Sequence, residues 1–441
     1  MSGRKLVTGL VGLALVLGCA GSLWAQVAKP KYDLEEFNAY TATTRPEDPG
    51  ERLAEIEAFL KNYPQSVLRA FVYPAYVQLA WAQKDYPTVI KAVDGFLGMD
   101  REQVAEIYKQ SNYNDAQIDG TYYQGVVLYT YSFLQSFRNG TPNADAAAAR
   151  AAERARQGLK LHEALYGQVP PPDDPTQREQ FEQNKRQEAA SFHNVLAFTA
   201  WRKKDYATAE REYDALVNYT PEDPSINYRL GLAELQRPQP EYEHGFWHLA
   251  RAVALNVPKR DEVKDYLTKG IAAYQQVLPE CIAGRVDELV SRSTSAVHPP
   301  ASWKLATAEQ VNAVRQEMDV KRILDDLKAG GEAANLMWLA ACGSEIGAGE
   351  DGTPQLAVLV LGVTQEADNL VTLRVAAGQE AADAKRANME IKVEAPPEAK
   401  RLKAEDVVRV SGTISDYQNE PEFLLKLTKG NVNAEDIPKT R

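Results

Sequence analysis

The sequence is poor in the residues that nucleophilic, redox and metal chemistry usually need. It holds three cysteines and five histidines in 441 residues. There is no Cys-x-x-Cys, which removes the dithiol redox motif and the zinc ligand sets built on that spacing. No His-Glu-x-x-His, no Gly-x-Ser-x-Gly and no Gly-rich loop ending in Lys-Ser or Lys-Thr occurs. Zincin, α/β-hydrolase and P-loop chemistry therefore have no support. Basic residues are also in deficit, with 50 Lys and Arg against 61 Asp and Glu and a formal net charge of -11. A broad nucleic-acid or anionic-membrane footprint needs a basic face, which this balance disfavours. After the first 25 residues no apolar run approaches the ~20 residues of a membrane-crossing helix.

The first 25 residues read as a signal peptide. Arg4 and Lys5 form a positive start, Leu6 to Leu17 an apolar stretch, and Ala25-Gln26 a cleavage site. The expectation is a periplasmic or secreted protein. The run Leu15-Val16-Leu17-Gly18-Cys19 resembles a bacterial lipobox, with Val16 where Leu is usual. Cys19 is therefore the lipidation candidate if the chain is instead a membrane-anchored lipoprotein. Cys281 and Cys342 are the remaining cysteines. In an oxidising compartment they pair, and otherwise they are buried thiols; the sequence leaves both open.

What the chain does contain is an internal repeat. Ala80 to Thr88 and Ala200 to Thr208 agree at six of nine positions, sharing Ala, Trp, Lys, Asp, Tyr and Thr. Apolar residues flank both copies at helical spacing, which gives a helix, a tight polar turn and a second helix. In the second copy Leu196, Ala197 and Ala200 share one face, and Tyr206, Ala209, Tyr213 and Leu216 share the face of the next helix, before Pro221. A following unit starts at Pro224, with Leu230-Gly231, then Gly245, Leu249 and Ala252, and ends at Pro258. A poorer copy has Val89, Val93 and Phe96 as its seam.

These residues resemble the tetratricopeptide repeat, a 34-residue helix-turn-helix unit. Ala197, Ala209, Tyr213 and Pro221 fall where that family has small, small, aromatic and proline residues. The best units are 70–99, 190–223 and 224–258. The resemblance implies a groove built from the first helix of each unit. Its contact positions fall on Ser191, Asn194, Phe198, Trp201 and Arg202, then on Ser225, Tyr228, Leu232, Leu235 and Gln236. In the poorer unit they fall on Phe71, Pro74, Gln78, Trp81 and Ala82. The carboxylate clamp of some members is not reproduced, since Phe198 stands where its asparagine belongs. Trp81 and Trp201 flank the same turn in both copies, which equally suits a role capping the helix pair.

Further helices are expected at about 50–63, 101–111, 117–137, 143–166, 174–189, 261–279 and 306–328, with a turn at 139–142. Together they make a helical domain over 33–343. The Gly-rich, acidic stretch 344–354 reads as a linker. Beyond it, strands are expected at 356–361, 369–376, 389–394, 407–414 and 423–427. The stretch Leu402 to Gly412 resembles the fourth strand of an OB barrel, so 355–435 is expected to be an OB-like β domain. It carries fourteen acidic and twelve basic residues from Pro354 to Arg441, with Tyr417 and Phe423 its only aromatics. That is a poor surface for stacking single-stranded nucleic acid.

His244 and His248 lie four apart beside Glu241 and Glu243, but no third ligand follows at motif spacing. They read as a half-exposed pair, with no metal and no cofactor expected. The fold expectation is thus mostly α, a tetratricopeptide-like solenoid followed by a small β-barrel. The functional expectation is an exported scaffold that binds a protein or peptide partner, and not an enzyme. Two rivals remain: a carbohydrate-active or other hydrolytic enzyme with a helical body, and a structural outer-membrane lipoprotein.

Overall fold

A computed structural model describes residues 32–138, 143–367, 370–394 and 397–439. The signal segment, Cys19 and the turn expected at 139–142 lie outside the described residues. The chain is mostly α, a helical-repeat body followed by a small closed barrel, and divides into two compact units after Pro240.

The first unit contains α1 (Leu34–Ala42), α2 (Pro49–Asn62), α3 (Arg69–Ala82), α4 (Tyr86–Leu97), α5 (Arg101–Gln110), α6 (Asp115–Ser136), α7 (Ala144–Gln168), α8 (Pro175–Arg202), α9 (Tyr206–Tyr219) and α10 (Pro224–Gln236). Three of them begin with an Asp-Pro pair: Asp48, Asp174 and Asp223 accept from amides of the first turn, and the following proline gives up no needed N–H. Helices adjacent in sequence pack against one another, α3 on α4, α7 on α8, α8 on α9 and α9 on α10. The seam residues Ala197, Ala209, Tyr213 and Leu216 are buried, as are Val89, Val93 and Phe96.

The repeated nine-residue string makes the same turn twice. The Asp85 amide returns to the Ala80 carbonyl, and the Asp205 amide to the Ala200 carbonyl. Lys84 and Lys204 take up the left-handed conformation that this closure needs, at φ 59° and 58°. Asp85 and Asp205 then cap the next helix by accepting from the amides of Thr88 and Thr208.

Two helix expectations change. The helix expected at 174–189 does not stop before the repeat; α8 runs unbroken for 28 residues into it. No proline or glycine interrupts 176–202, so nothing ends the helix there. The helix expected at 306–328 is instead two, because Asp319 caps a new start by accepting from the Arg322 amide.

The second unit opens with α11 (Tyr242–Ala254), α12 (Arg260–Gln275), α13 (Ala283–Arg292), α14 (Ala308–Glu317), α15 (Val320–Ala329) and α16 (Gly331–Ala341). It continues with β1 (Glu345–Ile346), β2 (Leu356–Ala367), β3 (Leu370–Ala377), the short α17 (Gln379–Asp383), β4 (Met389–Glu394), β5 (Val407–Gln418) and β6 (Leu424–Val432). The five long strands close in the order β2-β3-β4-β6-β5 and back to β2. Only β4 with β6 is parallel. This is an OB-like barrel, and β5 is its fourth strand.

The stretch 344–354 is not a free linker. Glu345 and Ile346 pair with Thr413 and Gly412 of β5, and Ala348 bridges to Pro354. One of its three glycines has a packing cause: Gly347 has φ 77°, and a Cβ there would stand 2.5 Å from the Val410 carbonyl oxygen. Nor do the helices before it form one domain with the first unit. Ile323, Leu327, Met337 and Trp338 share a buried core with Val360, Leu373, Ile391 and Leu427 of the barrel. Trp338 donates to the Cys281 carbonyl and packs on Tyr417. Cys281 and Cys342 are disulfide-bonded, with Cα atoms 5.9 Å apart.

Candidate functional site

A concavity of about 490 Å³ opens in the first unit. Three of the groove positions expected from the sequence line it: Ser191, Asn194 and Phe198. They recur at steps of three and four, so α8 presents them as one row. The row extends backwards through Asn184, Gln187 and Glu188, which the helix supplies only because it does not stop at residue 189. Opposite stand Tyr131, Leu134 and Phe137 from α6 and its end, with Tyr219, Asp223 and Arg229 from α9, α10 and the turn between them.

One end is aromatic. The Phe198 ring lies 5.4 Å from Phe137 and 6.1 Å from Phe133, both edge-on. Arg202 does not line the concavity; its guanidinium lies 4.9 Å from the Phe137 ring centre and pairs with Asp145 at 3.0 Å. The other end is polar. Glu188 Oε2 accepts from Tyr123 at 2.6 Å and from Tyr166 at 2.8 Å. Burial pushes the Glu188 carboxyl above its ordinary value, against the opposing pull of the two tyrosine hydroxyls. Burial and the neighbouring Glu188 charge push both tyrosine hydroxyls up in turn.

Between the ends, Ser191 Oγ lies 3.4 Å from Thr130 Oγ1. Asn194 Oδ1 is shielded from water and has no hydrogen-bond partner among the described residues. An unsatisfied buried acceptor costs about 1–3 kcal/mol. Beside the concavity, His193 stacks on Tyr219 and bonds Glu212 at 2.9 Å. Burial raises Glu212, but His193 and Arg211 outweigh it and hold the carboxyl below its usual range.

The other expected positions do not converge here. Trp201 packs edge-on against Tyr206 and Trp81 against Tyr86, each across its own turn, and Trp81 also packs edge-on against Tyr131 of α6. Both therefore cap their helix pair. Tyr228 and Leu232 are half-buried on α10 and do not line the concavity. Phe71 lies among Tyr40 and Tyr108, and Gln78 is exposed. The α6 wall escaped the sequence reading, because that helix carries no repeat register. In the second unit His244 is exposed, whereas His248 is fully buried and edge-on to His298 at 5.3 Å, so the two are not a half-exposed pair. Among the described residues no cluster of three or more His, Cys, Asp or Glu has metal-site geometry.

No protein-family model matches the sequence, and no curated protein is significantly similar to it. Among solved structures, the crystal structure of the apo form of RapI aligns at 10% identity over 70% of this chain and 96% of that one, with a TM-score of 0.29.

Proposed function

We propose that the chain is an exported, tetratricopeptide-type scaffold that holds a protein partner in the concavity of its first unit. The observation that carries this reading is one row of α8, Ser191, Asn194 and Phe198, lining the concavity together with Tyr131 and Phe137. Aromatic and amide side chains of this kind anchor peptide segments. The two carboxylates of the concavity are already committed: Glu188 to two tyrosines, and Asp223 to the amides of Ser225 and Ile226. That favours binding over paired-acid hydrolysis.

Export is supported by the Arg4-Lys5 start and the Ala25 cleavage site, and by the Cys281–Cys342 bond, which persists in oxidising compartments. A lipidated Cys19 at the mature N-terminus would change the reading to an anchored lipoprotein, and N-terminal sequencing distinguishes the two. Several of the barrel's basic side chains are engaged with acids, among them Lys426 with Asp416 at 2.9 Å, Lys392 with Glu366 at 3.5 Å and Arg409 with Asp436 at 2.9 Å. We therefore read the barrel as structural or protein-binding.

The test is capture of envelope proteins by the mature chain and by Ser191→Phe, which fills the concavity without removing packing. Ser191→Phe should abolish capture of a specific partner while melting close to the parent. Undiminished capture counts against the concavity. Phe198→Ala is a poorer probe, since Phe198 also packs on Phe133 and Phe137 and its loss costs stability as well as contact.

A further inference from the structure

Resting on the reading that this concavity holds a protein partner, we propose that its occupant is an extended segment alternating acidic with aromatic or aliphatic residues. The chain is acidic overall, at -11, yet the cations of the concavity are the groups without a counter-ion. Arg186 and Arg229 both line it, both are exposed, and neither has a carboxylate partner among the described residues. Arg229 lies beside the neutral Tyr213 hydroxyl. The carboxylates there offer little in return, because Asp223 caps α10 and Glu188 is held by two tyrosines. A basic segment would bring its charge against two unpaired guanidinium groups, whereas an acidic one supplies their missing partners.

From Asn184 to Phe198 the α8 row covers about 21 Å at ~1.5 Å per residue. An extended chain of about six residues spans the same length. Gln187, Ser191 and Asn194 recur every ~4.5–6 Å along the helix, near the ~6.6 Å two-residue repeat of an extended strand. Every second residue of the segment would then face α8. The Phe137–Phe198 end takes an apolar side chain.

The probes are two fluorescein-labelled nonapeptides, acetylated and amidated so that no terminal charge contributes. One alternates Asp with Phe and Leu; the other carries Lys in place of Asp. Anisotropy titrations use the full mature chain. The Asp peptide should bind at least about tenfold more tightly than the Lys peptide, against the chain's overall charge, and the difference should shrink with added salt. Arg186→Glu with Arg229→Glu should reverse the preference; Arg186→Glu alone, at an exposed side chain, should at least halve it if the double variant melts early. Equal binding, a Lys preference or no binding of either peptide overturns the proposal. Because loss of partner capture in Ser191→Phe is measured independently, failure of the acidic preference and failure of the concavity as a binding site are told apart.

Discussion

At the scale of single residues, Glu188 and Asn194 show how the concavity departs from an ordinary packed interior. Buried polar atoms are nearly always satisfied, yet Asn194 Oδ1 is not. Glu188 is satisfied on one oxygen only through two tyrosines, and burial still raises its carboxyl. A raised folded-state value has a definite sign. The stability this group contributes is fully present below the unfolded carboxyl value and is lost as pH rises through the folded one. Glu188→Gln cannot ionise and keeps an acceptor for the tyrosines. Its melting temperature relative to the parent should therefore rise as pH increases from about 4 to about 8. A difference that stays flat or falls over that range contradicts the account of this carboxyl.

At the scale of elements, the repeated turn was legible because its chemistry is local. Trp, Lys, Asp, Tyr and Thr recur at fixed offsets, and each has one job: a left-handed lysine, a capping aspartate and two rings packed across the turn. Asp205→Ala should cost about 1 kcal/mol through loss of the cap. Lys204→Gly should instead be neutral or stabilising by up to about 1 kcal/mol, since glycine adopts positive φ without strain. Thermal melts of the two variants give the signs, and a stabilised Asp205→Ala would sink the capping account. The barrel strands were legible for a similar reason: Met389–Glu394 alternates buried and open positions, as its sequence does. Two elements were misread for non-local reasons. The stretch 344–354 has the composition of a linker, but it pairs with β5, and Gly347 admits the β5 backbone. The long α8 was divided by a repeat register that its first half does not carry, and with it the polar end of the concavity was missed.

At the scale of the whole molecule, the second unit joins helices and barrel through one core, so the boundary at residue 343 expected from composition does not separate independent parts. The Cys281–Cys342 bond closes a 61-residue separation around that core. Chain-entropy arguments put its stabilisation at about 4 kcal/mol. Replacing both cysteines with serine, or adding reductant to the parent, should lower the melting transition that reports the second unit and leave the concavity's binding intact. An unchanged transition would show that the bond carries no weight in this unit.

The central claim is that the concavity of the first unit holds a partner, and contact there can be read directly. A photo-crosslinking amino acid placed at Gln135, an exposed position of the concavity's lining, is compared with one at Glu163, an exposed position of α7. The account predicts that irradiation in envelope fractions joins one discrete partner to the chain from position 135 and not from 163. Equal crosslinking from both positions, or crosslinking from 163 alone, contradicts it.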